Sequence, residues 1–348
     1  MHIGLTTEQT LLRDTVAGLA GTIATADADH IPSGERLEAA WRQIVEFGVP
    51  ALRAPQMCGL EASGVETALT IEELARRLCA VPALGQAVLA TELLQAAGAD
   101  KELEQVAEGT LRLAPVLTAG LTGFAEIDEP GVAFDAAGAS HALFAFHEDD
   151  SRHVAYLPLD GSAIGSGLDL TRTMLPISGF DRTLAATAGG PVDAHRWAKV
   201  NALALTAVAA DLVGVMAGAL EDAVRYAGER VQFGVKIGSF QAIQHLLADA
   251  AVRVEGARSC LWHAAWAVDH LSPDEALLSA RTAKAYASAA GRDVVETAMQ
   301  VLGGISITWE HLAHLRLRRT LTDRRLFGNE DEHYQAIAQM RLTDAGLR

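Results

Sequence analysis

The chain has 348 residues, half of them hydrophobic, and carries 28 Lys and Arg against 44 Asp and Glu, a formal net charge of -16. That length can bury a sizeable core, and so acidic a surface repels phosphate backbones and anionic lipid, arguing against nucleic-acid and membrane partners. Cys58, Cys79 and Cys260 are too few and too widely spaced for a disulfide framework or a zinc site, so a reducing cytosol fits best; no signal-peptide core opens the chain, and no charge-free run reaches the roughly 20 apolar residues of a membrane span.

Thr6-Thr7-Glu8-Gln9 offers a capping box, and Leu12, Val16 and Leu19 follow at helical spacing. Helical stretches are predicted near 36–47 and 66–79, broken by Gly48, Pro50 and Pro55 and later by Pro82. Residues 109 to about 190 change character. Gly, Pro, Ser and Asp punctuate short apolar runs such as 142–146 and 153–157, which predict a small β region of about five strands.

Helical periodicity then returns. Leu205, Val208, Leu212, Val215, Ala219 and Ala223 mark one apolar face. After a break at 234–239, Ile243, Leu247, Ala250, Val254, Ala257 and Leu261 mark another. Ser272-Pro273-Asp274-Glu275 starts a third helix, which Gly303-Gly304 ends. The expected organisation is an N-terminal helical region (1–108), a middle β region (109–194) and a C-terminal helical bundle (195–348): mainly α with a small β domain.

Two stretches point to chemistry. In the first, Arg230-Val231-Gln232-Phe233-Gly234 precedes Ile237 to His245 and then Ala248-Asp249. Arg230 stands where a helix gives way to a glycine-containing loop, so its guanidinium could grip a pyrophosphate with paired hydrogen bonds. In the second, Gln300-Val301-Leu302-Gly303-Gly304 is followed by Thr308-Trp309-Glu310-His311 and a basic stretch ending at Arg318-Arg319. Its glycines would let backbone approach a ligand closely, and Gln241 and Gln300 are uncharged groups suited to a nucleotide. His245, His311 and His314 show no metal-ligand spacing with carboxylates, which favours packing or surface roles.

In this order and separation the two stretches resemble acyl-CoA dehydrogenases. The likeness extends through the α–β–α plan to nearly the whole chain, with Phe47-Gly48-Val49-Pro50 and the helix around Glu72-Glu73-Leu74 agreeing more loosely. The resemblance implies FAD as cofactor, an acyl-CoA thioester as substrate and an electron-transfer flavoprotein as acceptor. It also implies that Arg230, Gln241 and the segment Gln300, Val301, Leu302, Gly303, Gly304 reach across a subunit interface to a neighbour's flavin.

The same resemblance exposes what is missing. Most members place a catalytic Glu before a Gly where this chain has Phe327-Gly328, and the alternative position falls on Ala204; neither can accept a proton. No catalytic residue can therefore be assigned. Asp211, which matches an acidic residue common in these chains, reads as structural. Glu221, Asp222, Glu330, Asp331 and Glu332 are the remaining nearby carboxylates. The loop that holds the flavin ring in other members is not recognisable: Gly165-Ser166-Gly167 comes too late, and Leu121-Thr122-Gly123 matches a strand that usually follows that loop, so the start of the β region reads as shortened.

These losses resemble the shortened, non-catalytic subunit of actinobacterial α2β2 acyl-CoA dehydrogenases that act on steroid side chains. A homologous catalytic subunit is then the expected partner, binding most of the acyl-CoA. Competing expectations are a self-sufficient homodimer with a displaced base, a non-enzymatic acyl-CoA-binding scaffold and a flavin monooxygenase-like relative.

Overall fold

The computed structural model describes residues 4–54, 62–148, 151–159, 167–178 and 180–344; Pro55, Cys58, Gly165 and Ser166 fall outside them. Among the described residues five α-helices come first: α1 (Thr7–Thr22), α2 (Glu35–Glu46), α3 (Gly64–Arg76), α4 (Ala90–Ala97), which continues a π-helical turn at Ala83–Leu89, and α5 (Asp100–Ala107). The predicted capping box forms at α1, where Gln9 N donates to Thr6 Oγ1 and Thr6 N donates to Gln9 Oε1. The stretch predicted to run to 79 stops at Arg76, because Leu78 takes a left-handed conformation (φ 50°) and turns the chain toward Pro82.

A six-stranded mixed sheet follows: β1 (Leu113–Thr118), β2 (Gly131–Ala133), β3 (His141–Glu148), β4 (Ser151–Pro158), β5 (Leu175–Ile177) and β6 (Ala186–Val192). The strand order is β5-β2-β1-β3-β4-β6, with only the β1/β3 pairing parallel. The expected count of five is low by one. β2 and β5 are three residues each, too short for alternation to show, and they exist because each pairs with a neighbour from elsewhere in the chain. Leu121-Thr122-Gly123 is also no strand. It is a turn after β1, with Leu121 left-handed (φ 62°) and Thr122 N donating to Thr118 Oγ1 at 3.0 Å. The hydroxyl of Thr118, the last residue of β1, offers the backbone a local partner that competes with ladder pairing.

The C-terminal helices are α6 (Ala194–Glu229), α7 (Gln241–His270), α8 (Pro273–Leu302), α9 (Ala313–Arg325) and α10 (Glu330–Asp344). A two-stranded hairpin, β7 (Val231–Gln232) with β8 (Val235–Lys236), fills the break between α6 and α7. α6 is long and apolar enough to cross a bilayer, yet its most hydrophobic stretch is 94% buried inside the protein, the signature of a core helix. It forms the axis of the molecule. One apolar cluster joins Val16, Ile44 and Ile71 of the first helices to Leu203, Val208 and Leu212 of α6 and Leu261 of α7. At Gly214 a Cβ would stand 2.2 Å from the Glu72 carbonyl oxygen, so α3 and α6 touch backbone to backbone.

A fully buried charge network ties these layers together. Arg172, between β4 and β5, lies 2.8 Å from Asp211 of α6, 3.1 Å from Asp135, 3.5 Å from Asp169 and 3.6 Å from Asp323 of α9. Arg319 of α9 grips Asp211 in a two-pronged fashion at 2.8 and 2.6 Å. Asp211 is therefore structural, as its match to an acidic residue common in the resembled chains implied. Burial alone would raise its pKa, but the Arg172 and Arg319 charges overcome that and hold it well below the carboxylate range. Burial and the neighbouring Asp211 charge push Asp323 well above that range, so it keeps its proton.

Candidate functional site

Two surfaces matter: the end of the bundle that carries the motif residues, and the cleft beside Phe327. At the bundle end, the last turns of α6, the start of α7 and the end of α8 share one apolar cluster containing Ala223, Ala227, Val295, Ala298 and Val301, with Ile237, Ile243 and Leu247 packed on it. This packing brings Arg230, Gln241 and Gln300 to the same end of the molecule. Arg230 closes α6, donating its N–H to the Tyr226 carbonyl at 2.8 Å and accepting from Ile237 N at 2.8 Å. The side chains of Arg230, Gln241 and Gln300 are exposed, and none has a hydrogen-bond or ion-pair partner among the described residues.

Val301 and Leu302 differ from these three: both are buried in the chain's own core, because the apolar stripe of α8 runs to its last residue. A ligand here could meet their backbone but not their side chains. Gly303 (φ 68°) caps α8, and a Cβ on either Gly303 or Gly304 would meet nothing within 4 Å, so both glycines present open backbone. Around this end lie large exposed apolar side chains. Phe233, left-handed at the hairpin tip, is 94% exposed and Ile307 75% exposed, with Val231 and Trp309 about half exposed. His311 Nδ1 accepts from Ala313 N, His314 stacks on Trp309 and His245 is exposed; no group of metal-ligating side chains occurs among the described residues.

The cleft lies where the sheet meets α6, α8 and the loop between α9 and α10. Phe327 is buried and left-handed (φ 58°), and its N–H donates to the Leu121 carbonyl at 2.7 Å. Its ring meets Phe124 edge-on at 5.1 Å, and Phe124 meets Trp197 at 5.6 Å. Two cavities flank the loop that carries Phe327. The larger, of about 500 Å³, is lined by Leu121, Met174, Arg324, Asn329, Glu330 and Asp331; the smaller, of about 320 Å³, lies on the α6–α8 side.

Most of the carboxylates near the cleft are held by other groups, while Asp331, exposed on the wall of the larger cavity, has no partner among the described residues. Asp211 is buried in the network. Arg316 holds Asp222, Arg76 holds Glu221, Arg324 holds Glu330, and Glu332 accepts from Asn329 N at 2.7 Å. Ala204 is buried in the core. The larger cavity's wall sets Arg324 and Arg325 against Glu330 and Asp331, with Arg324 already paired to Glu330, so it offers a dinucleotide pyrophosphate no net positive charge. The exposed donors at the bundle end do fit a pyrophosphate and a nucleotide.

Sequence reading missed Lys284, although a lysine interrupting the alanine stripe of α8 (Ala276, Ala280, Ala283, Ala287) was a visible signal. It is fully buried and donates to Ser288 Oγ (2.8 Å), the Arg324 carbonyl (3.2 Å) and the Gly328 carbonyl (2.9 Å), pinning the loop that carries Phe327. Burial lowers its pKa to about 7. Between pH 7 and the ordinary lysine value the unfolded chain holds the proton and the folded chain does not, so stability rises with pH across that window. From this group alone the slope approaches about 1.4 kcal/mol per pH unit. Cys79, whose thiol burial pushes up to about 12, opposes the trend once unfolded thiols ionise, above roughly pH 8.5. Urea denaturation at pH 7 and 8.5 should show the rise, and Lys284→Met should flatten it; the same slope in the variant would assign the effect elsewhere.

A profile of the acyl-CoA dehydrogenase C-terminal domain matches residues 204–342. Acyl-CoA dehydrogenase IpdE2 of Mycolicibacterium smegmatis is 30% identical over 340 residues, covering 95% of this chain and 97% of the relative. Acyl-CoA dehydrogenase FadE34 of Mycobacterium tuberculosis is 29% identical and matches 99% of this chain, which spans only 49% of that longer protein. Among solved structures, a chain of the Tcur3481-Tcur3483 steroid ACAD superposes with a TM-score of 0.81 at 23% identity, covering 97% of this chain and 99% of the other. A chain of the ChsE4-ChsE5 complex from Mycobacterium tuberculosis gives 0.78 at 22%, covering 97% and 98%. At those identities the structural likeness speaks to the fold, while the near-full-length match at 30% speaks to descent. The chain belongs to the acyl-CoA dehydrogenase family.

Proposed function

We propose that this chain is the supporting subunit of a heteromeric, α2β2 acyl-CoA dehydrogenase. In this reading it lends Arg230, Gln241 and the backbone of Gln300–Gly304 to FAD held by a homologous catalytic subunit. The observation that carries it is the pairing of opposites in one chain. Three unpartnered polar side chains and open glycine backbone face outward at one bundle end, while beside the chain's own cleft the buried Phe327 offers no proton acceptor and, of Asp211, Glu221, Asp222, Glu330, Asp331 and Glu332, all but Asp331 are held by other groups. The apolar rim around Phe233 and Ile307 suits burial against a second polypeptide.

FAD, when bound, would supply the hydride acceptor for the acyl β-carbon. Arg230 would neutralise and orient the pyrophosphate through its planar fork, Gln241 and Gln300 would fix the nucleotide, and the partner would supply the carboxylate that removes the α-proton. A thioester with a bulky steroid side chain is the favoured substrate class, since one of the similar folds is that of a steroid ACAD. Electron-transfer flavoprotein is the proposed acceptor, and the cytosol the proposed compartment.

The test is co-purification from the native host with flavin counted per chain. The expected result is a yellow, active complex with a longer homologue and almost no flavin on this chain alone. Full flavin loading and dehydrogenase activity in the isolated chain would end the reading and favour the homodimer.

A further inference from the structure

Past its two glycines the second motif stretch continues to Trp309, which takes no part in gripping a pyrophosphate. Of the five tryptophans only Trp309 is exposed, at 47%. Its ring is nonetheless held at its edge, on one face and through its backbone.

The indole Nε1–H donates to Asp29 Oδ1 at 2.7 Å. Asp29 belongs to the 3₁₀ turn Ala28–His30, which Asp27 Oδ1 fixes by accepting from Asp29 N and His30 N, each at 3.0 Å. The His314 imidazole stacks on one face of the indole, with centroids 5.4 Å apart and planes 21° from parallel. Its Nε2–H donates to the Trp309 carbonyl at 3.2 Å. The backbone leading in is equally set: Ser306 Oγ donates to the Gly303 carbonyl at 2.7 Å and Thr308 N to the Ile305 carbonyl at 3.1 Å. Among the described residues no other ring or guanidinium meets the indole, so its second face is the one open to a ligand.

The place of this face matters as much as its rigidity. Ala28 and Ile31, on either side of Asp29, and Leu312, just past Trp309, pack on the same apolar cluster as Ile237, Ile243 and Val301. The indole therefore stands at the bundle end that presents Arg230, Gln241 and the open backbone of Gly303-Gly304. A ring pinned before a ligand arrives need not be ordered on binding, and an open π-face takes any planar base. The Asp29 carboxylate at the indole edge disfavours a further phosphate but not a neutral base. In the supporting-subunit reading the flavin ring belongs to the catalytic chain, so the other base of the dinucleotide is the one left for this face.

We propose that Trp309 is the stacking platform for the adenine of that FAD, with Asp29 as its positioning residue. The assignment rests on the supporting-subunit reading and extends it from the pyrophosphate to the base.

The co-purified complex, stripped of flavin and titrated with FAD and, in competition, with ADP, tests it. ADP carries the adenine and pyrophosphate but no flavin ring, and it should compete with FAD. Trp309→Leu, which keeps apolar bulk but loses the π-face, should weaken FAD and ADP alike by roughly tenfold, within the range of a lost base–aromatic stack. Trp309→Phe should lose less than about threefold, since a smaller π-face remains. Asp29→Ala leaves the indole but frees its edge, and should weaken both ligands by about threefold, the cost of ordering one side chain. Sedimentation of the complex should be unchanged in all three. Failure of ADP to compete, or unchanged FAD and ADP affinity in Trp309→Leu, would overturn the proposal; where Trp309→Leu does not fold, unchanged affinity in Asp29→Ala does the same. Equal losses in Trp309→Leu and Trp309→Phe, or dissociation of the two chains, would also end it and mark Trp309 as a contact between subunits. A wild-type complex that takes up no FAD would instead remove the supporting-subunit reading, and this assignment with it.

Discussion

Replacing Asp211 by alanine is expected to cost the fold about 3–5 kcal/mol, read as a lowered urea midpoint and melting temperature. The reason is what the change leaves behind. Arg319 loses both of its short contacts to carboxylate, at 2.8 and 2.6 Å, and Arg172 loses its nearest, at 2.8 Å; both guanidiniums remain fully buried. Asp323, freed of the Asp211 charge that helps keep it protonated, can ionise in the variant but lies 3.6 Å from Arg172, so it offsets only part of the loss. Asp211→Asn keeps the shape and part of the hydrogen bonding and should fall between. Adding Arg319→Met to Asp211→Ala should restore part of the loss, because a buried charge pair removed together costs less than half of it removed alone. A loss below about 1 kcal/mol in Asp211→Ala would show that the network is not what joins the sheet to α6 and α9.

The second large effect concerns Arg230. In the proposed two-chain complex, Arg230→Ala should weaken FAD retention by about 10- to 100-fold, as expected for losing a forked, charge-assisted contact to pyrophosphate. Arg230→Lys should recover only part of this, since an ammonium keeps the charge but not the planar fork. The stability of the chain itself should hardly move, because the side chain is exposed and without an internal partner. Fluorescence of released flavin gives the affinity and thermal denaturation gives the control. Undiminished flavin binding in Arg230→Ala would remove this residue from the site and with it the main support for the cross-subunit reading.

Features that depend on a few neighbouring residues were legible in the sequence. Thr6 and Ser272 announce their helices because capping is settled within four residues, and both capping boxes are present. Gly303 marks the end of α8 because the chain there needs a positive φ. The long apolar face of α6 was visible as periodicity, and the two motif stretches carried the family likeness. β2 and β5 were not legible, since a three-residue strand exists only through its partners. Leu121-Thr122-Gly123 was misread because Thr118 supplies a side-chain bond that no alternation pattern reveals. Val301 and Leu302 belong to a motif by sequence but to the core by geometry.

By itself, then, the sequence determined the helical and strand-bearing regions, the family and that neither Phe327 nor Ala204 can accept a proton, because each is a matter of local residue type and spacing. Only the tertiary structure decided that Asp211 is locked by Arg172 and Arg319, that Lys284 reaches the Gly328 carbonyl, and that Arg281 and His333 share a cavity. Those residues lie tens to more than a hundred positions apart, and their charges and hydrogen bonds take their meaning from burial, which no window of sequence contains.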